Sequence, residues 1–565
     1  RGVGMRTGGE STWRVTCRKP FVRRLALLGA LLLIVAGSML LKSGTIAFWQ
    51  VGSGTGRLAM TIVDDTTGVS TPVRIQLTNV QGEPVVPPDN ALAVMWGRFD
   101  AAEDFASLPN GDFYTEGAFE LTLPAGIYQL RISKGYEYLK QEHEVVIAPD
   151  EEVLETYRMA RWVDMPSRGW VSADDHIHLR RSPRDNPSIL GWIAAEDLQV
   201  GTLLQMGDFW ATYYSQYAWG LDGVYHVEDR LLASGQEDPR THERGHTISL
   251  AADDFVRLED PALSQGPSGY YYYDQVFDRI HELGGMTGYA HQAVTFHGYR
   301  GLTLDVLRDK VDFLELLQFC AADGPLHTDH YYHFLNLGFE LTATAGSDFP
   351  WCGRSPNSAD PRIGDARFYA YVGDEFTFET WRESVRDGHT FVTSGPIVEL
   401  TVNEAMPGDR VDVASGSTLR ITARAQGHAT QIPLEELEIV AHGAVIESVS
   451  ARDPNQSSER LAVTMSLPVD HGVWIAARTS AGPTQIAHST PVYVTVAGSG
   501  FHSPDTLEEY LDLSGQYLDE LQEEIAQPND SLDHLAWRDR DGLEEQIAET
   551  REVIAKLRRE LGDGE

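Results

Sequence analysis

The chain is 565 residues long, 42% hydrophobic and 10% aromatic, which places it among folded proteins of several domains and excludes wholesale disorder. Its 45 basic and 83 acidic side chains leave a formal charge of −38, a body that repels phosphate backbones, so no nucleic-acid partner is expected. Three cysteines, Cys17, Cys320 and Cys352, are too few for a disulfide scaffold or a Cys-rich zinc module.

Residues 1–50 form a basic N-terminus followed by an apolar segment. Arg23-Arg24 leads into an uninterrupted apolar run from Leu25 to Leu41, closed by Lys42. Such a run, at about 1.5 Å rise per residue, covers roughly 26 Å, the short end of a bilayer span. The upstream basic residues orient it with the N-terminus inside. The expectation is a single-pass membrane protein whose bulk is extracytoplasmic. A cleaved signal peptide, with Thr45-Ile46-Ala47 as the cleavage triplet, gives a secreted or periplasmic protein instead. A buried core helix is the third reading.

Residues 51–160 read as a β-sandwich, with alternating runs such as Arg57–Val63, Val73–Thr78, Phe119–Leu123 and Ile127–Ile132 separated by Gly, Pro and Asp turns. The stretch from Gly117 to Ile132 resembles carboxypeptidase-regulatory-like or transthyretin-like modules. Across residues 161–400, short apolar strands end in His, Asp or Glu with helical stretches such as Tyr271–Leu283 between them, the alternation of an α/β barrel. Residues 401–498 are again β-rich and read as a second sandwich. Residues 499–565 are acidic and helical: Leu543, Ile547, Ile554, Leu557 and Leu561 recur at helical steps, and Gln527-Pro528-Asn529-Asp530 breaks the segment into a hairpin. That hairpin suits either packing on its own chain or homo-oligomerisation.

The chemistry-bearing residues lie at strand ends of the middle region. Asp174-Asp175-His176-Ile177-His178 holds an H-x-H, and alternation along a strand puts both imidazoles on one face, where they can grip one metal. Glu237 ends the run Leu231–Glu237, and His246 follows Arg244-Gly245. His291 follows Gly288-Tyr289-Ala290, Glu315 ends Val311–Glu315, and Asp348 ends an apolar strand behind Gly346-Ser347. Barrel enzymes place their chemistry on the carboxyl ends of successive strands, and this order fits that rule.

H-x-H, G-Q-E, G-H, A-H and G-S-D in this order resemble the PHP (polymerase and histidinol phosphatase) metallohydrolases. The longer strings S-G-Q-E-D-P-R-T, R-G-H-T-I-S-L, G-Y-A-H, V-D-F-L-E-L-L-Q, A-G-S-D-F-P and F-V-T-S-G-P resemble the CehA/McbA, carbaryl-hydrolase-like branch. The resemblance implies a distorted (β/α)7 barrel flanked by the two sandwiches, with a multinuclear metal site. It implies that His176, His178, Glu237 and Asp348 surround one ion, and that Glu237, His246 and His291 hold a second, with Glu237 bridging. Gly207-Asp208-Phe209 and Pro350 stand where the family usually keeps ligands for a third metal, which favours two ions. The ligand types suit zinc, manganese or iron and do not choose among them.

The expected activity is that of an exported hydrolase using a metal-bridging hydroxide on a small-molecule phosphoester, ester, amide or carbamate. Arg354 and Arg367 are candidates to clamp an anionic group. His226 is a candidate to protonate a leaving group, Glu315 to support a ligand or touch substrate, and Asp174 to orient a histidine or cap a turn. The rival expectation is a non-catalytic binding or scaffold protein with a relic barrel.

Overall fold

The computed structural model describes residues 54–97, 100, 105–207, 212–241, 244–256, 273–293, 298–318, 326, 328–350, 362–526 and 540–562. Alternating burial along Thr55–Asp64 and Ala118–Pro124 gives those strands one apolar face each. With Glu152–Met159 they form a three-stranded sheet. It faces a four-stranded antiparallel sheet of Phe113–Thr115, Val73–Asn79, Gly126–Ser133 and Gln141–Ile147. Leu58, Ile62, Ile75, Leu77, Leu130 and Ile132 fill the space between them. The two sheets thus pack face to face around one apolar core.

The middle region is built on strands β1 (Trp170–Ile177), β2 (Val200–Gly207), β3 (Arg230–Glu237), β4 (Gly245–Leu250), β5 (Met286–Tyr289), β6 (Phe313–Gln318), β7 (Thr342–Gly346), β8 (Arg367–Tyr371) and β9 (Thr390–Thr393). Pairs β1–β2, β2–β3, β5–β6 and β6–β7 are parallel, whereas β3–β4, β4–β5, β1–β8 and β8–β9 are antiparallel. Strands β2, β4, β5 and β7 are buried along their whole length, which is why they read as continuous apolar or small-residue runs rather than alternating ones.

The expected (β/α)7 barrel is therefore corrected. Among the described residues strand outweighs helix, 41% to 21%, and the sheet curls into a half-barrel with no clear seven-fold β/α repeat. Two local causes are visible. Parallel neighbours need a long crossover, but β3 passes to β4 through a turn in which Arg240-Thr241 pairs back on Gly245-His246. Strand β4 consequently runs antiparallel to both its neighbours. Strands β7 and β1 also share no ladder; a single bridge, Ile177 to Phe349, joins their ends. On its other side the sheet continues through β8 and β9 to Ile486–Ser489, and so merges with the C-terminal strands.

Those strands form a sandwich of their own. Ile397–Val402, Ser417–Gln426 and Arg460–Val469 pack over Glu436–Ala441, Val473–Ser480 and Val492–Val496, around Leu400, Leu419, Ile421, Ile439, Ile475 and Val494. Helices Leu507–Ile525 and Arg540–Gly562 lay Leu511, Leu518, Leu521, Leu543 and Ile547 into the same apolar cluster as Leu302, Leu304 and Phe313 of the middle region. The apolar stripe of the C-terminal helices is thus buried on its own chain. At that contact Arg244 Nη1 donates to Gln546 Oε1 at 3.2 Å.

No described helix is long and apolar enough to cross a membrane, which corrects the single-pass membrane expectation. The run Leu25–Leu41 on which that expectation rested lies outside the described residues, as do Cys17, Cys320, Cys352 and the break at 527–530.

Candidate metal centre

Six strand-end side chains converge inside the curl of the sheet, and none is more than 7% exposed: His176, His178, Glu237, His246, His291 and Asp348. The two histidines of β1 lie two residues apart and so point to the same side. Glu237 is the last residue of β3, and the parallel register sets it beside Met206 at the end of β2. His246 comes from the start of β4, because β4 runs the opposite way. His291 and Asp348 lie just beyond β5 and β7 at φ 47° and 51°, a left-handed conformation uncommon for residues other than glycine. Ten other described non-glycine residues also have positive φ, so the conformation aims these two side chains without by itself marking the site.

Four donor atoms define a first site. His176 Nε2 and His178 Nε2 are 3.1 Å apart. Asp348 Oδ1 lies 3.3 Å from the first and 3.2 Å from the second, and Glu237 Oε2 lies 3.3 Å from His178 Nε2. Donors at such separations, His176 Nε2, His178 Nε2 and Asp348 Oδ1 above all, lie close enough for one ion to reach them at roughly the 2.0–2.1 Å of zinc to imidazole or carboxylate. The opposite ring nitrogens are already engaged: His176 Nδ1 with Glu315 Oε1 at 2.9 Å and His178 Nδ1 with the Leu204 carbonyl at 3.2 Å. A carbonyl only accepts, so His178 carries a proton on Nδ1; burial disfavours charge on the ring, but Asp348 and Glu237, which its Nε2 faces, raise its proton affinity above the ordinary value. Glu237 Oε2 and Asp348 Oδ1 are fully buried and have no hydrogen-bond partner, the former having only the ion pair to Arg240 Nη1 at 3.6 Å beside the facing histidine. Buried carboxylate oxygens in that condition call for a cation.

A second site shares the other carboxylate oxygens. Glu237 Oε1 is 2.7 Å from His246 Nδ1 and 4.0 Å from His291 Nε2, and Asp348 Oδ2 is 3.9 Å from His291 Nε2. The three groupings His176–His178–Glu237, His176–His291–Asp348 and Glu237–His246–His291 each bring three ligand atoms within 4.8 Å of one another. Glu237 thus turns Oε2 toward His178 and Oε1 toward His246. Asp348 likewise turns Oδ1 toward His176 and His178 and Oδ2 toward His291, which the sequence does not show.

Charge placement follows from burial and neighbours. Burial pushes the Glu237 carboxyl up, but Arg240, His246 and His178 outweigh it and hold Glu237 well below the usual range. Asp348 is likewise held low, against burial, by His176 and His178. Burial disfavours charge on His176, yet Glu315 and Asp348 raise it well above an ordinary histidine. Burial, with His246 next, lowers His291 to about 3. The resting pocket therefore keeps both carboxylates ionised.

Supporting residues are now placed. Glu315 holds His176 with one oxygen and accepts the His291 backbone N–H with the other at 2.6 Å, so it orients two ligands. Asp174 accepts three backbone N–H groups, from His176, Ser347 and Gly364, and ties β1 to the loops after β7 and before β8. Tyr214, the last residue of an aromatic run Trp210–Tyr214 that in the sequence suits either the pocket mouth or packing, stacks on His178 with ring centroids 5.1 Å apart. Arg240, three residues after Glu237, comes within 3.6 Å of Glu237 Oε2. Its place in E-D-P-R was the only sequence signal.

Other candidates are not brought here. Arg367 is buried, and its Nε, Nη1 and Nη2 donate to the carbonyls of Gly364, Asp197 and Glu196. It fastens the sheet rather than a substrate. His226 is exposed on the hairpin before β3, with Nε2 3.0 Å from the Glu228 carbonyl. Arg354 and Asp208 lie outside the described residues.

No family model and no curated protein matches the chain. Among solved structures it is similar to fibronectin(III)-like modules of CbhA from Clostridium thermocellum, at 16% identity over 17% of this chain and 93% of that one, with a TM-score of 0.12. It is also similar to phospholipase PlaB from Legionella pneumophila, at 14% identity over 25% of this chain and 33% of that one, again with a TM-score of 0.12. At that score neither likeness bears on fold or function.

Proposed function

We propose that the chain is a metal-dependent hydrolase whose centre takes two divalent transition-metal ions, zinc, manganese or iron. The observation that carries this reading is the convergence of two inward imidazole nitrogens on two ionised carboxylate oxygens that lack a hydrogen-bond partner, at 3.1–3.3 Å. The motif resemblance to the CehA/McbA metallohydrolases supports it independently. His176, His178, Glu237 and Asp348 would hold one ion, and Glu237, His246, His291 and Asp348 the other. When bound, such a pair supplies Lewis acidity and an acidified water for attack on a phosphoester, ester, amide or carbamate. Around it Glu315 keeps His176 and the His291 backbone in place, while Asp174 fixes the strand-end loops.

The test is elemental analysis after purification with each metal in turn, followed by hydrolysis of p-nitrophenyl phosphate, p-nitrophenyl acetate and 1-naphthyl methylcarbamate. The expected result is about two equivalents of metal and a hydrolysis that chelation abolishes and metal restores. Less than one equivalent would favour a non-catalytic binding protein instead.

A further inference from the structure

We infer that Arg240 is the substrate-recognising cation of this site and that it selects for molecules bearing an oxyanion; this rests on the metal-centre reading above. Three observations carry it. The first is register. Arg240 lies directly across from His246 in the antiparallel pairing of Arg240-Thr241 with Gly245-His246, and directly paired residues project on the same face of a sheet. The His246 side chain enters the cluster at Glu237, so Arg240 is delivered to the same side. The second is contact. Arg240 Nη1 lies 3.6 Å from Glu237 Oε2 and 3.0 Å from Met206 Sδ, which sets the guanidinium beside the carboxylate that faces both metal sites.

The third is exposure. The six candidate ligands are between 0% and 7% exposed, whereas the Arg240 side chain is 20% exposed. Among the described residues it is the charged group that both touches a ligand and reaches solvent. A molecule that approached the candidate ligands from the side of Arg240 would meet this guanidinium first. A planar guanidinium binds a phosphate or carboxylate through two parallel N–H donors, which fixes orientation as well as charge. A neutral ester or carbamate presents no such partner in its ground state.

The experiment uses the full metal-loaded chain titrated calorimetrically with inorganic phosphate and with acetate, in the wild type, Arg240→Met and Arg240→Lys. The two anions distinguish a phosphoryl from a carboxylate group as the recognised feature. We expect at least one anion to bind, its affinity to fall about tenfold or more in Arg240→Met, and Arg240→Lys to lie between, since it keeps the charge and loses the fork. Metal content and the circular dichroism spectrum should match the wild type in both variants. An anion affinity unchanged in Arg240→Met with metal retained overturns the inference and leaves the metal centre standing. Metal-loaded wild type that binds neither anion also overturns it. Loss of metal in Arg240→Met would show that Arg240 serves Glu237 and not the substrate. A wild type that takes up no metal defeats the hydrolase reading and this inference together.

Discussion

The Nε2 atoms of His176 and His178 face each other at 3.1 Å, while each ring is anchored through its other nitrogen, to Glu315 and to the Leu204 carbonyl. Two imidazole lone pairs do not approach so closely across empty space. Either one of the two nitrogens carries a proton and donates to the other, or both turn lone pairs to a metal. That alternative makes metal uptake a displacement of a proton, and it organises what can be measured.

Glu237 presents Oε2 to the first site and Oε1 to the second. Glu237→Gln keeps the volume but removes the charge and replaces one acceptor with an amide donor. Both sites should weaken by at least about tenfold to a hundredfold, with loss of most bound metal and of hydrolysis. The flanking sandwiches have their own cores and should keep their fold. Two equivalents of metal in the purified variant would show that Glu237 is not the shared ligand, and Asp348, which also faces both sites, would take its place.

Gly346 is where β7 passes closest to β1. A Cβ there would stand 2.3 Å from His176 Cβ, 2.6 Å from Asp175 Oδ1 and 2.7 Å from the His176 nitrogen. Gly346→Ala should therefore push β1 aside, at a cost of about 1–3 kcal/mol in stability. It should lower metal affinity more than the stability loss alone accounts for, because the displaced residue is a candidate ligand. Gly515→Ala is the control: its Cβ meets nothing within 4 Å and it lies within a helix, so it should stabilise by up to about 1 kcal/mol. A Gly346→Ala protein with wild-type metal affinity would mean that the two strands separate without moving His176.

Metal affinity should rise with pH. Burial works against a charged His176, but Glu315 and Asp348 prevail and raise its proton affinity well above the ordinary histidine value. Below that raised pKa a proton occupies the first site, and each proton displaced costs about tenfold in apparent affinity per pH unit. Above it the dependence flattens. His291, lowered to about 3 chiefly by burial, needs no deprotonation near neutrality and should add no slope there. Competition with a chelator of known affinity between about pH 6 and 8 measures the slope; an affinity flat across that range would show that His176 carries no proton to displace.

Much of this centre was legible because its ligands end short strands of apolar and small residues, and strand ends are where a curled sheet gathers side chains. The barrel inference failed where a local connection, not composition, decides direction. The turn through Arg240-Thr241 is too short for a parallel crossover, and nothing in the apolar pattern of β4 records which way it runs. Glu315 was visible as a strand carboxylate, but its partner His176 is 139 residues away and its second task is a backbone N–H. Arg367 looked like a clamp because a lone arginine after G-S-D carries charge; that its donors end on three carbonyls is a property of packing.

The contact between Arg244 and Gln546 has a consequence for the order in which this protein can be completed. Arg244 immediately precedes the strand that brings His246 to the centre, and its guanidinium is held by Asp305 and by Gln546, a residue near the end of the chain. Leu543 and Ile547 close the same apolar cluster. During translation, every candidate ligand has left the ribosome long before the helix that covers their sheet exists. A truncation before residue 540 should therefore leave the flanking sandwiches folded and an unsealed apolar surface behind β4. The middle region is not a detachable unit, and its candidate metal site is backed by an apolar cluster that is closed only once the helix at 540–562 has been made.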